Sequence, residues 1–130
     1  MAPIEALNAL GEEYDAWLMS DDAHGIGVVG GGRGSSFIGN AHVPVPLQMG
    51  TLSKAIGAYG GYLCASAPVI ELMRNRARTL IYSTGLPPSA VAAAIAALDV
   101  IERAYILWVL QSEGGNKTRA AEALGIDPST

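Results

Sequence analysis

Ala16-Trp17-Leu18-Met19 is a run of apolar side chains that stops abruptly at Ser20-Asp21-Asp22. A strand with one wet face alternates polar and apolar residues. A run without alternation predicts a strand buried on both faces, the habit of parallel sheets. Upstream, Ile4, Leu7, Leu10 and Tyr14 recur at helical spacing behind Pro3, while Glu5, Glu12, Glu13 and Asp15 supply a wet face, so Pro3 to Tyr14 is expected to be a helix. Helix, buried strand, then polar residues at the strand's carboxyl end is the order in which α/β proteins build their sites. Asp21, Asp22 and His24 therefore stand where chemistry is expected.

A second stretch, Gly50-Thr51-Leu52-Ser53-Lys54-Ala55-Ile56-Gly57-Ala58-Tyr59-Gly60-Gly61, sets one lysine among small residues, with no acid between Asp22 and Glu71. A lysine buried without a carboxylate partner is pushed toward the neutral amine. That form attacks a carbonyl to make a Schiff base. A surface turn with an ordinary solvated lysine fits the same residues, and this stretch alone leaves both readings open.

Gly25-Ile26-Gly27-Val28-Val29-Gly30 has the glycine spacing of a dinucleotide-binding turn, but Gly31, Gly32 and Gly34 follow where a helix is needed, and the required acid about 20 residues on is absent. The glycines instead predict a closely approached loop, with Arg33 solvated or meeting an anion. The phosphate-loop pattern fails too, because Ala55 and not Ser or Thr follows Lys54.

Pro44 and Pro46 make Phe37 to Pro46 loop-like, with His42 a surface residue. Tyr62-Leu63-Cys64-Ala65 reads as a strand, Pro68 opens a helix, and Arg74, Arg76 and Arg78 cluster near its end, as suits its negative pole. Thr79 to Ser83 is strand-like and Thr84 to Pro88 a turn. From Pro88, Val91, Ile95, Leu98, Tyr105 and Trp108 keep helical phase to about Gln111, where Gly114-Gly115 stops the helix. Asn116 should cap a second helix, Lys117 to Leu124, closed by Gly125, and Asp127-Pro128 should start a third.

At 130 residues the chain is long enough for one modest core, and a net charge of −4 gives no general attraction to nucleic acid or to an anionic membrane. A single cysteine, Cys64, excludes an internal disulfide and suits the cytoplasm. The apolar stretch Ala90 to Ala97 is too short to span a bilayer, and Met1 to Glu13 carries no basic segment of the kind that opens a signal peptide. No metal site is expected.

Asp21, His24 and Lys54 make sense together. A pyridoxal phosphate ring needs a carboxylate at its pyridine nitrogen, a donor near its phenolic oxygen and a lysine for its aldehyde. Ser20-Asp21-Asp22-Ala23-His24-Gly25, Gly50-Thr51-Leu52-Ser53-Lys54 and Ile81-Tyr82-Ser83-Thr84-Gly85-Leu86-Pro87-Pro88, in that order, closely resemble the α-oxoamine synthases over residues 2–103. The resemblance implies part of a fold-type-I, aspartate-aminotransferase-like large domain (α/β) in residues 1–103, and a homodimer. It implies that Lys54 forms the Schiff base with pyridoxal 5'-phosphate and later acts as general base. By the same likeness Asp21 pairs with the pyridine nitrogen, His24 reaches the phenolic oxygen, Thr51 holds the phosphate, and Ser83 or Thr84 reaches the neighbouring subunit's cofactor. The implied reaction joins L-alanine to pimeloyl-CoA or the pimeloyl-ACP thioester with loss of carbon dioxide and the thiol, a step of biotin biosynthesis. Earlier strands, a ring-stacking histidine and the small C-terminal domain are expected to lie outside the chain, which then reads as a truncated or fused product.

Residues 104–130 carry a second likeness. Tyr105 to Leu110 and Gly114-Gly115-Asn116-Lys117-Thr118-Arg119-Ala120-Ala121-Glu122-Ala123-Leu124-Gly125-Ile126 resemble a Fis-type helix-turn-helix. That likeness implies a DNA-binding or dimerisation module whose recognition helix would follow Thr130. Lys117 and Arg119 against Glu113, Glu122 and Asp127 leave the segment with a net negative charge, so DNA is not an expected partner.

Overall fold

The structure, a computed structural model, describes residues 1–39 and 41–127. Helix α1 (Ile4–Glu13) begins one residue after Pro3 and seats Ile4 against Val43 and Val45, with Leu18 packed on them. The chain turns at Asp15 (φ 48°) and enters β1 (Met19–Asp21). Beyond it, residues 22–36 form a folded-over loop, closed on itself by the Ile26–Arg33 bridge. The short strands β2 (Phe37–Ile38) and β3 (Ala41–His42) pair antiparallel before the chain reaches β4 (Leu47–Thr51).

β4 is the middle strand of the sheet. β1 runs parallel to it, with Met19 beside Leu47 and Asp21 beside Met49. β5 (Gly61–Cys64) runs antiparallel on the other side, from Thr51–Gly61 to Gln48–Cys64. Strand alternation therefore puts Ser20, Gln48, Gly50 and Tyr62 on one face, and Asp21, Met49, Thr51 and Leu63 on the other. The first face is covered: the Ser36 hydroxyl donates to Gln48 Oε1 at 2.8 Å, and Ser20 and Gly50 are buried. The second face is open.

Helices α2 (Ala67–Arg76) and α3 (Arg78–Ile81) lead to α4 (Pro88–Ser112), a helix of 25 residues. The small side chains of its first half let Ala94, Ala97 and Ile101 approach Leu52, Ile56 and Tyr62. Its second half packs Tyr105 and Val109 on Ala120 of α5 (Lys117–Leu124). Asn116 caps α5, its Oδ1 accepting from the Arg119 amide at 3.1 Å, and Gly125 ends it at φ 68°.

The three clusters of buried side chains are small. The chain exposes 8847 Å², whereas a folded monomer of its mass would expose roughly 6,500 Å². Trp17, Val100, Leu107 and Trp108 are each more than half exposed.

Four expectations change. The strand after α1 is not buried on both faces: Met19 is 56% exposed and Trp17, preceding the strand, 67%, because nothing covers the open face of the sheet at β1. Thr79 to Ser83 holds a helix, with the amides of Ile81 and Tyr82 donating to Ala77 and Arg78. A strand needs a neighbour to pair with, and this exposed segment has none. Part of the Phe37–Pro46 segment forms the β2–β3 pair. Arg33 is partly buried and not simply solvated: its guanidinium lies over the rings of Phe37 (4.0 Å) and Tyr105 (3.9 Å) and donates to the Gly30 and Gly39 carbonyls. Of the third helix expected to start at Asp127-Pro128, everything from Pro128 on falls outside the described residues.

Candidate active site

Parallel neighbours β1 and β4 end side by side, and the candidate residues leave from those two carboxyl ends. Asp21 closes β1. Its Oδ1 accepts from the Ala23 amide at 2.9 Å, and its carboxylate stands exposed on the open face. The next four residues form a turn, in which the Gly25 amide donates to the Asp22 carbonyl at 2.9 Å. His24 sits on this turn, exposed. Asp21 and His24 line one hollow of about 330 Å³, together with Met19, Leu18 and Ser35.

Thr51 closes β4 on the same face as Asp21. Its hydroxyl lies 2.7 Å from Ser53 Oγ, accepts from the Ser53 amide at 3.2 Å and donates to the Gly60 carbonyl at 3.0 Å. Lys54 follows on the turn back to β5, where the Gly57 amide donates to the Lys54 carbonyl at 2.9 Å. Lys54 is exposed. Of the two readings the sequence left open, the surface turn is the one the structure shows. A turn between two strands puts its side chain outside the core.

Ser83 and Thr84 lie exposed between α3 and α4, outside the Asp21–His24 hollow, and the Ser83 hydroxyl donates to the Leu80 carbonyl at 2.9 Å. Two residues behind the site have roles that the sequence did not show: Asp22, placed there with Asp21 and His24 among the expected site residues, and Tyr62, marked only as part of a strand. Asp22 is buried and accepts from the Ser35 amide. Tyr62 lies opposite Gly50, and burial raises its phenol above the usual value, with Asp22, Cys64 and Asp21 adding to the rise. Nothing near Ser35 or Tyr62 in the sequence marks either, because their roles depend on which strand lies alongside.

The donor set fits pyridoxal phosphate: an exposed carboxylate and imidazole in one hollow, a pair of hydroxyls at the adjacent strand end, and an accessible amine. Among the described residues no group of three or more His, Cys, Asp or Glu could hold a metal ion, and no helix is long and apolar enough to cross a membrane.

The chain belongs to the aminotransferase class I and II family, whose model matches residues 1–123. It is 76% identical over 101 residues to the putative 8-amino-7-oxononanoate synthase of Parvibaculum lavamentivorans, covering 77% of this chain and 26% of that protein. It is 69% identical over 101 residues to the 8-amino-7-oxononanoate synthase of Methylocella silvestris, covering 78% of this chain and 29% of that one. Of solved structures, serine palmitoyltransferase from Sphingomonas wittichii matches 86% of this chain and 31% of its own, with a TM-score of 0.72 and 29% identity. The 8-amino-7-oxononanoate synthase of Francisella tularensis matches 93% of this chain and 37% of its own, at a TM-score of 0.60 and 26% identity. The fold is thus part of a fold-type-I, aspartate-aminotransferase-like large domain, and the chain spans under a third of the length of the two curated relatives named here.

Proposed function

We propose that this chain is the cofactor-holding segment of a pyridoxal-phosphate-dependent acyltransferase of the α-oxoamine synthase type, acting on L-alanine and a pimeloyl thioester (pimeloyl-CoA or pimeloyl-ACP) in biotin biosynthesis. One observation carries the reading: Asp21 and Thr51 close two adjacent parallel strands on the same face of the sheet, and His24 and Lys54 sit on the turns that follow them. The names of the relatives give the product, 8-amino-7-oxononanoate, and the resemblance to the α-oxoamine synthases supplies the substrates.

When bound, the cofactor supplies an electron sink that lets an amino acid lose its α-proton and act as a carbon nucleophile. The chain's own residues hold and serve it. Lys54 offers the amine for its aldehyde and then takes the α-proton. Asp21, with one oxygen on the Ala23 amide, keeps a negative charge for the ring nitrogen. His24 donates to the phenolic oxygen, while Thr51 and Ser53 offer hydroxyls to the phosphate. Ser83 or Thr84 serves the cofactor of a second subunit in a homodimer, and the surplus of exposed surface supports such burial. The cytoplasm is the compartment that fits the single exposed cysteine.

The division at residues 103/104, with a Fis-like tail, belongs to the same reading. The aminotransferase family model runs on to residue 123, across that division and into α5. The continuity of α4 and the Tyr105–Arg33 stack pull against a boundary there. The tail is expected not to bind duplex DNA; tight, salt-sensitive binding would overturn that.

Titration with pyridoxal phosphate tests the main reading, beside Lys54→Ala and followed by borohydride reduction and peptide mapping. The expected result is a new visible band that reduces onto Lys54 and is lost in the variant. Labelling spread over Lys54 and Lys117 alike, or no band, overturns it.

A further inference from the structure

We propose that Asp22 is a positioning residue: its buried carboxylate holds in place the turn that carries Asp21 and His24. Its bearing on the cofactor rests on the reading above, but the geometry stands by itself. Asp22 is 5% exposed, and both of its carboxylate oxygens accept from the Ser35 amide, at 3.0 and 2.9 Å. Its own amide donates to the Met49 carbonyl of β4 at 2.7 Å. Its carbonyl accepts from Gly25 at 2.9 Å and from Ile26 at 3.2 Å. One residue therefore ties three segments together: the middle strand, the turn after β1 and the far end of the loop. Asp21 is the residue before this junction, and His24 lies on the turn that its carbonyl closes.

The two glycines that face the Asp22 carboxylate have no room for side chains of their own. A Cβ on Gly25 or on Gly34 would overlap the Asp22 carboxylate. Gly34 has a φ of +108°, which favours glycine in any case. Gly25 does not have a left-handed φ, so only the space that the carboxylate occupies excludes a side chain there.

Two neighbouring aspartates thus divide between opposite sides of the sheet. Asp21 stands on the open face with Thr51, available to a ligand. Asp22 goes into the covered side with Ser20 and Gly50, already engaged by an amide. A carboxylate removed from water needs such donors, and a backbone amide is a strong one because the acceptor is charged. Asparagine in its place would turn one acceptor into an NH2 group facing the Ser35 N–H. The remaining oxygen can still accept from that N–H, but without the charge, so the contact is weakened and the loop end is loosened.

The test compares the 130-residue chain with Asp22→Asn, Asp22→Ala, Gly25→Ala and the double variant Gly25→Ala/Asp22→Ala. Three readouts apply to each: backbone amide exchange, pyridoxal phosphate affinity, and visible circular dichroism of the bound cofactor, which reports its orientation. Asp22→Asn is expected to speed exchange at Ser35 and across residues 22–26 by about tenfold or more, the weakening of one charge-assisted bond, while α4 and α5 stay protected. Pyridoxal phosphate affinity should fall by a similar factor, with a changed visible dichroism. Gly25→Ala should do the same, and removing Asp22 as well should add little, since both act through one contact.

Unchanged affinity and dichroism in Asp22→Asn, with the cofactor still captured on Lys54 of the parent chain, overturn the positioning role. Fully additive effects in the double variant overturn it as well. If the parent chain does not capture the cofactor on Lys54, the site reading has failed and exchange alone decides: faster exchange confined to residues 22–35 upholds the hold on the turn, and unchanged exchange there refutes it.

Discussion

Tyr62 stands across the β4–β5 ladder from Gly50, and its hydroxyl lies 2.5 Å from the point a Gly50 Cβ would occupy, with ring carbon Cζ at 2.7 Å. The absence of a side chain at Gly50 is what lets the ring lie flat over the covered face of the sheet. Gly50→Ala is expected to destabilise the chain by about 1–3 kcal/mol, the usual cost of overfilling a packed site. Tyr62→Phe should not relieve it, since the ring carbons remain, whereas Tyr62→Val in the same background should. Urea unfolding of the three variants measures this, and a Gly50→Ala chain as stable as the parent would contradict it.

The same tyrosine makes stability depend on alkaline pH. Burial, first, and then Asp22, Cys64 and Asp21 raise its phenol above the usual value of 10.0. The folded chain thus holds the proton more tightly than the unfolded chain. Its contribution is fully present below the unfolded value and is lost as pH rises through the raised one. Denaturation midpoints followed from about pH 8 to about pH 11 should fall at the upper end, and Tyr62→Phe should fall less steeply. Equal slopes would remove Tyr62 as the cause.

Tyr105 is 6% exposed, and its hydroxyl is buried without a hydrogen-bond partner among the described residues, while its ring stacks on Arg33 and Trp108. Deleting only the hydroxyl removes an uncompensated polar group. Tyr105→Phe is expected to leave stability unchanged or raise it by up to about 1 kcal/mol. Tyr105→Ala, which removes the ring between Arg33 and Val109, should lower it by about 3 kcal/mol. Thermal melts of both variants separate the ring from its hydroxyl; a loss in Tyr105→Phe matching that in Tyr105→Ala would refute the distinction.

Asn116→Ala removes the side-chain acceptor for the Arg119 amide at the start of α5 and should cost about 1 kcal/mol. The Arg119–Glu113 ion pair at 2.6 Å joins a largely exposed guanidinium to a less exposed carboxylate. Arg119→Gln should therefore cost less than the cap does, at most about 1 kcal/mol and less in high salt. Paired urea melts at low and high salt give the order, and a larger loss in Arg119→Gln would reverse it.

Residues whose conformation follows from their near neighbours could be read from the chain alone. Apolar spacing behind Pro3 marked α1, Pro68 marked α2, and the phase from Pro88 ran through α4 to its stop at Gly114-Gly115. Asn116 and Gly125 bounded α5, because a cap and a left-handed stop are properties of single residues. The position of Asp21 at a strand end, with His24 just beyond it, was legible too, since an abrupt change from apolar to polar residues is local; the strand that ends at Thr51 was not marked.

Only the tertiary structure decided what depends on a distant neighbour. Thr79 to Ser83 has strand-forming side chains, but strand pairing is supplied from elsewhere, and without it the segment takes the hydrogen bonds available within itself. Arg33 is held by Tyr105 of α4, a contact that only the folding-back of that helix creates. Lys54 sits among small apolar residues in sequence and is nevertheless exposed in space, because a turn's side chains point according to the strands it joins. Asp21 and Asp22 are chemically identical neighbours. The strand pleat sends one to the open face and the other beneath the loop, where Ser35 is waiting, and that difference belongs to the fold alone.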